Sequence, residues 1–146
     1  MRSGGFPRAN RSAIRQRNKS LRLERLEPRH LLSATPLITE FMASNDATLN
    51  DGDGLSSDWI EIHNPTGAAI DLAGWHLTDD AANLNKWTFP TLPQSILQSG
   101  EYLVVFASGQ ATETYVDAAG NLHTDFKLSA SGEYLGLTDP SETVIH

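Results

Sequence analysis

From Pro36 onward the chain is cut into short runs of strand composition by clusters of Gly, Asn, Asp and Pro. The breakers recur at intervals of roughly 8 to 15 residues, the rhythm of an all-β sandwich. The runs are Leu37 to Met42, Asp58 to His63, Ala69 to Leu72, Trp75 to Thr78, Lys86 to Phe89, Tyr102 to Ala107, Thr124 to Leu128, Tyr134 to Thr138 and Thr143 to Ile145. No amphipathic helical stretch comes between them, so the expected fold class is all-β.

Alternation with period two assigns faces within these runs. Ile60 and Ile62 point one way and Trp59, Glu61 and His63 the other. By the same parity Trp75 and Leu77 face inward with His76 and Thr78 outward, and Trp87 shares a face with Phe89. Tyr102 to Ala107 is apolar on both parities, which suits a central strand covered on both sides. Asn64-Pro65-Thr66-Gly67, Ala73-Gly74 and Ser99-Gly100 are turns in chemistry and position.

The 146 residues suffice for one globular domain. Three Trp, five Phe and three Tyr can hold it together without disulfides, which the lack of cysteine forbids. The same lack excludes thiolate metal sites and cysteine nucleophiles. No run approaches the roughly 20 apolar residues needed to cross a bilayer as a helix.

Charge divides the chain in two. Residues 1–33 carry nine Lys/Arg against two Asp/Glu, whereas residues 34–146 carry two, Lys86 and Lys127, against sixteen. The expected organisation is a basic, mostly disordered arm over 1–35 followed by an acidic domain over 36–146. The arm lacks the uninterrupted apolar core of a secretory signal. A nucleic-acid tail and a solvated terminus are two readings of it. A third comes from Leu26-Glu27-Pro28-Arg29-His30-Leu31-Leu32, which resembles the Leu-Glu-Pro-Arg-x-Leu-Leu element near the start of bacterial surface or exported proteins. That resemblance implies a cell-surface or secreted location.

An ordered set of motifs carries a second resemblance. Leu37-Ile38-Thr39-Glu40-Phe41-Met42-Ala43-Ser44-Asn45, Ser57-Asp58-Trp59-Ile60-Glu61-Ile62-His63-Asn64, Asp71-Leu72-Ala73-Gly74-Trp75, Lys86-Trp87-Thr88-Phe89-Pro90 and Gly100-Glu101-Tyr102-Leu103-Val104-Val105-Phe106-Ala107 together resemble a lamin-tail domain of bacterial type. The match runs on through Phe126-Lys127-Leu128 and Gly132-Glu133-Tyr134-Leu135-Gly136-Leu137. It implies an immunoglobulin-like β-sandwich. Because family members continue past the turn at Asp139-Pro140-Ser141, the expectation is a domain truncated at its C-terminal end, a fragment of a longer protein.

The densest polar cluster surrounds Asn50-Asp51-Gly52-Asp53-Gly54. Asp46, Asp51, Asp53 and Asp58 could wrap oxygen ligands around calcium, although only half of the helix-loop-helix calcium motif is present. The competing reading is an ordinary Asp/Gly turn. His30, His63, His76, His123 and His146 are scattered, with no zinc-ligand spacing; His63 and His76 would meet only if their strands pair. Ser129-Ala130-Ser131-Gly132 is not a nucleophile elbow, and spacing alone assembles no Ser, His and Asp. No catalytic or cofactor-binding residue is assigned.

The functional expectation is a non-catalytic binding or structural module of a bacterial cell-surface or secreted protein, contacting protein or glycan. The alternative is an accessory domain of a larger secreted hydrolase. Nucleic acid is a poor partner for so acidic a body.

Overall fold

The computed structural model describes Met1 and residues 35–112 and 114–146. The basic arm and its Leu-Glu-Pro-Arg element lie outside the described residues. The elements are β1 (Leu37–Met42), β2 (Asp58–His63), β3 (Ile70–Asp71), β4 (His76–Thr78), β5 (Trp87–Thr88), a 3-10 turn (Pro93–Ser95), β6 (Ile96–Leu97), β7 (Tyr102–Ala107), β8 (Leu122–His123) and β9 (Gly136–Thr138). Among the described residues there is no α-helix, and no helix is long and apolar enough to cross a membrane.

One layer is a four-stranded sheet in the order β1-β2-β7-β8. Its first three strands are antiparallel, and β8 joins β7 in parallel. Facing it are the β5-β4-β9 sheet and the β3-β6 pair. The core lies between these layers: Ile60, Ile62, Val105 and Leu122 from the first meet Leu77, Trp87, Leu97 and Leu137 from the second, each no more than 3% exposed. Burial of these side chains is the main stabilising term, about 1.5–3 kcal/mol for each large one. Trp87 and Phe89 meet edge to face within it, 4.7 Å between centroids.

The layered architecture agrees with the alternation of the sequence, and β1, β2 and β7 occupy the expected residues. Other runs differ. Thr124 to Leu128 forms no strand beyond a bridge between Lys127 and Ser108. Thr124 folds back instead, its hydroxyl donating to the Phe126 carbonyl, while Phe126 and Leu128 drop into the core. The paired residues there are Leu122 and His123, which carry no strand-like run of their own. Val144 makes only a bridge to Thr138. Ile96–Leu97 is a strand that the pattern did not single out.

Two facing assignments also change. Thr78 is fully buried rather than outward, because its hydroxyl donates to the carbonyls of Asp80 and Asn83 and closes the turn after β4. In β7 only the end near Phe106 is covered on both faces; Tyr102 is exposed. β1 is an edge strand, kinked by a register shift between Ile38 and Glu40, and leaves Phe41 exposed.

Candidate functional site

Parity along β2, β7 and β8 creates a second, smaller cluster on the outer face of the four-stranded sheet. Ile60, Val105 and Leu122 turn toward the core, so Trp59, Phe106 and His123 turn away from it. All three are nevertheless buried. The Phe106 ring lies 5.5 Å from the His123 ring, and Tyr115, from the β7–β8 connection, meets His123 edge-on at 5.2 Å. A connection between parallel strands must cross over, and here it lays Tyr115 across this face.

Asp117 closes the connection. Its Oδ1 accepts the backbone N–H groups of Ala119 and Asn121, both at 2.9 Å, an Asx turn that Gly120 completes at positive φ. Its Oδ2 accepts the Gly52 N–H at 2.6 Å, the Asn121 side-chain amide at 2.8 Å and His123 Nε2 at 3.2 Å. Burial pushes this carboxyl up, but the hydrogen bonds from Asn121, Gly52 and His123 outweigh it and hold Asp117 well below the usual carboxylate range.

The ionised Asp117 can only accept, so His123 Nε2 carries a proton, and in the neutral ring Nδ1 then offers a lone pair. Ser108 Oγ lies 2.9 Å from that Nδ1. Ser108, His123 and Asp117 thus form one hydrogen-bonded chain, open at its serine end and buried at the other.

The serine end opens into a pocket of about 480 Å³ where β2 begins and β7 ends. Asp53, Asp58, Ser108, Gln110, Tyr115 and Lys127 are among its walls. The Tyr115 hydroxyl donates to Asp53 Oδ2 at 2.5 Å; that bond, with burial and the charges of Asp53, Asp117 and Asp51, raises the phenol above its ordinary range. Gly109, at φ +73°, lets the Lys127 stem lie close, since a Cβ there would sit 3.1 Å from Lys127 Cε.

Three of the four carboxylates proposed for calcium serve separate hydrogen-bonding tasks. Asp51 is buried and accepts from the Leu55 and Asp53 N–H groups and the Ser57 hydroxyl. Asp58 accepts the N–H groups of Ser44 and Asn45, and Asp53 accepts Tyr115. Asp46 is exposed and outside the pocket. No group of three or more His, Asp or Glu side chains is placed to hold a metal ion among the described residues. His63 and His76 fall in different sheets: His63 stacks on Tyr102 at 4.2 Å, and His76 Nδ1 meets Thr88 Oγ1 at 2.9 Å.

The chain Ser108–His123–Asp117 escaped sequence reasoning because its members come from three contexts, a strand end, a short parallel strand and a turn. The signal that could have pointed to it is the turn chemistry of Asp117-Ala118-Ala119-Gly120, which the strand pattern passed over.

Two facing β-layers around one apolar interior define an immunoglobulin-like β-sandwich. The model of the lamin tail domain matches residues 33–146, and the chain belongs to that family of immunoglobulin-like structural domains. A comparison with curated proteins found no match.

Proposed function

We propose that this lamin tail domain is a non-catalytic binding module of a bacterial cell-surface or secreted protein, and that its ligand is a glycan held in the pocket at the β2/β7 end of the sandwich. The observation that carries the reading is the composition of that pocket. Carboxylates (Asp53, Asp58), a hydroxyl (Ser108), an amide (Gln110), an ammonium (Lys127) and an aromatic ring (Tyr115) converge on one concave surface. Donors and acceptors beside one ring suit a polyhydroxylated ligand, whose hydroxyls do both and whose C–H faces pack on aromatics. The acidic walls disfavour polyphosphate.

The test is glycan-array screening of the whole chain followed by calorimetry on the best ligand. Gln110→Ala and Lys127→Ala are expected to weaken binding about tenfold or more, as loss of hydrogen bonds to a charged or amide group does. Absence of glycan binding, or binding indifferent to both substitutions, would remove the pocket from the reading. Cell fractionation tests the location: the chain is expected with surface or secreted material.

A further inference from the structure

The glycan reading uses the Ser108 hydroxyl as a contact and leaves the relay behind it, His123 and Asp117, unused. We propose that Ser108 is an acyl-acceptor site, whose hydroxyl takes the acyl group of small activated carboxylic esters with His123 as its base.

The parts and their order are those nucleophilic acylation requires. The nucleophile is a half-buried hydroxyl on a pocket wall, the base lies within hydrogen-bond reach of it, and a buried carboxylate fixes the base's tautomer. The Ser108 hydroxyl donates to the unprotonated Nδ1, while Nε2–H donates to Asp117. Which ring nitrogen faces the serine is immaterial to proton transfer, provided that the other is held by an acceptor. Tyr115 and Phe106 against the ring prevent it from turning away.

The step balances without a further reactant. Ser108 Oγ adds to the ester carbonyl carbon as its proton moves to His123 Nδ1, and Asp117 stabilises the imidazolium. The intermediate then collapses, the bond from carbonyl carbon to leaving oxygen breaks, and the Nδ1 proton passes to that oxygen. The products are acyl-Ser108 and an alcohol, and nothing is oxidised or reduced.

The surroundings also set the expected extent. An efficient hydrolase aims free backbone N–H groups at the developing oxyanion. Here the Gly109 and Gln110 amides already donate to the carbonyls of Phe126 at 3.0 Å and Thr124 at 2.9 Å. Among the described residues of the pocket wall, Lys127 is the only ammonium or guanidinium group. Acylation therefore proceeds once per chain with slow release, which is compatible with a module whose main work is binding.

The experiment treats the whole folded chain with p-nitrophenyl acetate, and separately with a fluorophosphonate probe, followed by peptide mass mapping. Ser129, half-buried, and Ser131, exposed, hydrogen-bonded to each other at 2.8 Å, are internal controls without a histidine partner among the described residues. Modification is expected at Ser108 at least about 100-fold faster than at either control, the gain that a positioned base supplies. It should vanish in Ser108→Ala and fall by a similar factor in His123→Gln wherever that variant keeps the native circular-dichroism spectrum. If His123→Gln does not fold, the comparison with Ser129 and Ser131 decides alone. No adduct, an adduct spread evenly over the serines, or full labelling of Ser108 in folded His123→Gln would overturn the proposal. Continued ester turnover that disappears in Ser108→Ala would support the nucleophile and end the non-catalytic reading. Turnover that persists in Ser108→Ala would overturn it. Glycan binding can fail without touching any of these results.

Discussion

The side-chain amide of Asn64 reaches the Leu97 carbonyl at 2.9 Å, joining the residue after β2 to β6 across 33 positions of sequence. The same amide lies 2.8 Å from the Ala68 carbonyl and 3.0 Å from that of Gln98, and its Oδ1 accepts the N–H and hydroxyl of Thr66. Asn64 is fully buried, so this one side chain ties a turn, a strand end and the approach to β7. Asn64→Ala leaves several buried partners unpaired and is expected to cost about 2–4 kcal/mol. Urea denaturation checks this: the midpoint should fall with an unchanged slope, and a change under about 0.5 kcal/mol would show that water replaces the side chain.

Gly52 has no room for a side chain. A Cβ there would sit 2.5 Å from Asp117 Cγ and 2.6 Å from the Ala119 nitrogen. Gly52→Ala is expected to destabilise the domain by about 1–3 kcal/mol, the usual cost of overpacking, and to disturb the pocket through Asp117. Gly67→Ala, in open space without positive φ, is the control and should be near neutral. Equal effects at both positions would contradict the placement of Asp117.

Acid should weaken the fold through two aspartates. Asp139 is held below its ordinary range by the Ser141 hydroxyl and the Thr143 N–H, as Asp117 is by its own donors. A lowered folded value contributes stability that is complete above the unfolded value, near pH 3.9, and is lost as pH falls through the folded one. Stability attributable to these groups is therefore expected to be flat from about pH 7 to 5 and to decline below about pH 4. Urea midpoints across this range provide the measurement. Asp117→Asn should be less stable at neutral pH and lose less on acidification; an acid slope unchanged in that variant would assign the effect elsewhere.

Calcium should make little difference. Asp51 and Asp58 are engaged by backbone donors and Asp53 by Tyr115, and no three carboxylates converge to hold a cation among the described residues. The melting temperature is expected to be the same in excess calcium and in chelator. A rise of several degrees with calcium would restore the cluster of Asp46, Asp51, Asp53 and Asp58 as a site.

The sandwich was legible because Ile60 and Ile62 in β2 fix a buried face by their period and the continuous apolar run of β7 marks a strand beside it. Shorter pairings such as Leu122–His123 were not, since two residues carry no period and their partner in β7 lies across a crossover. Thr78 and Thr124 misled for a related reason. A threonine reads as strand surface, yet either can be buried when its hydroxyl finds a carbonyl two residues ahead. The pocket depends on what these local choices bring together, so its acidic side was visible as a loop and its Ser108–His123 side was not.

The most direct test is the nitrogen chemistry of one imidazole. In a long-range ¹H–¹⁵N correlation spectrum at neutral pH, His123 is expected to show a protonated Nε2 and an unprotonated Nδ1, with the Nε2 signal displaced in Asp117→Asn. A ring protonated on Nδ1 with Nε2 bare, or an imidazole indifferent to Asp117, would contradict both the closed connection and the serine relay built on it.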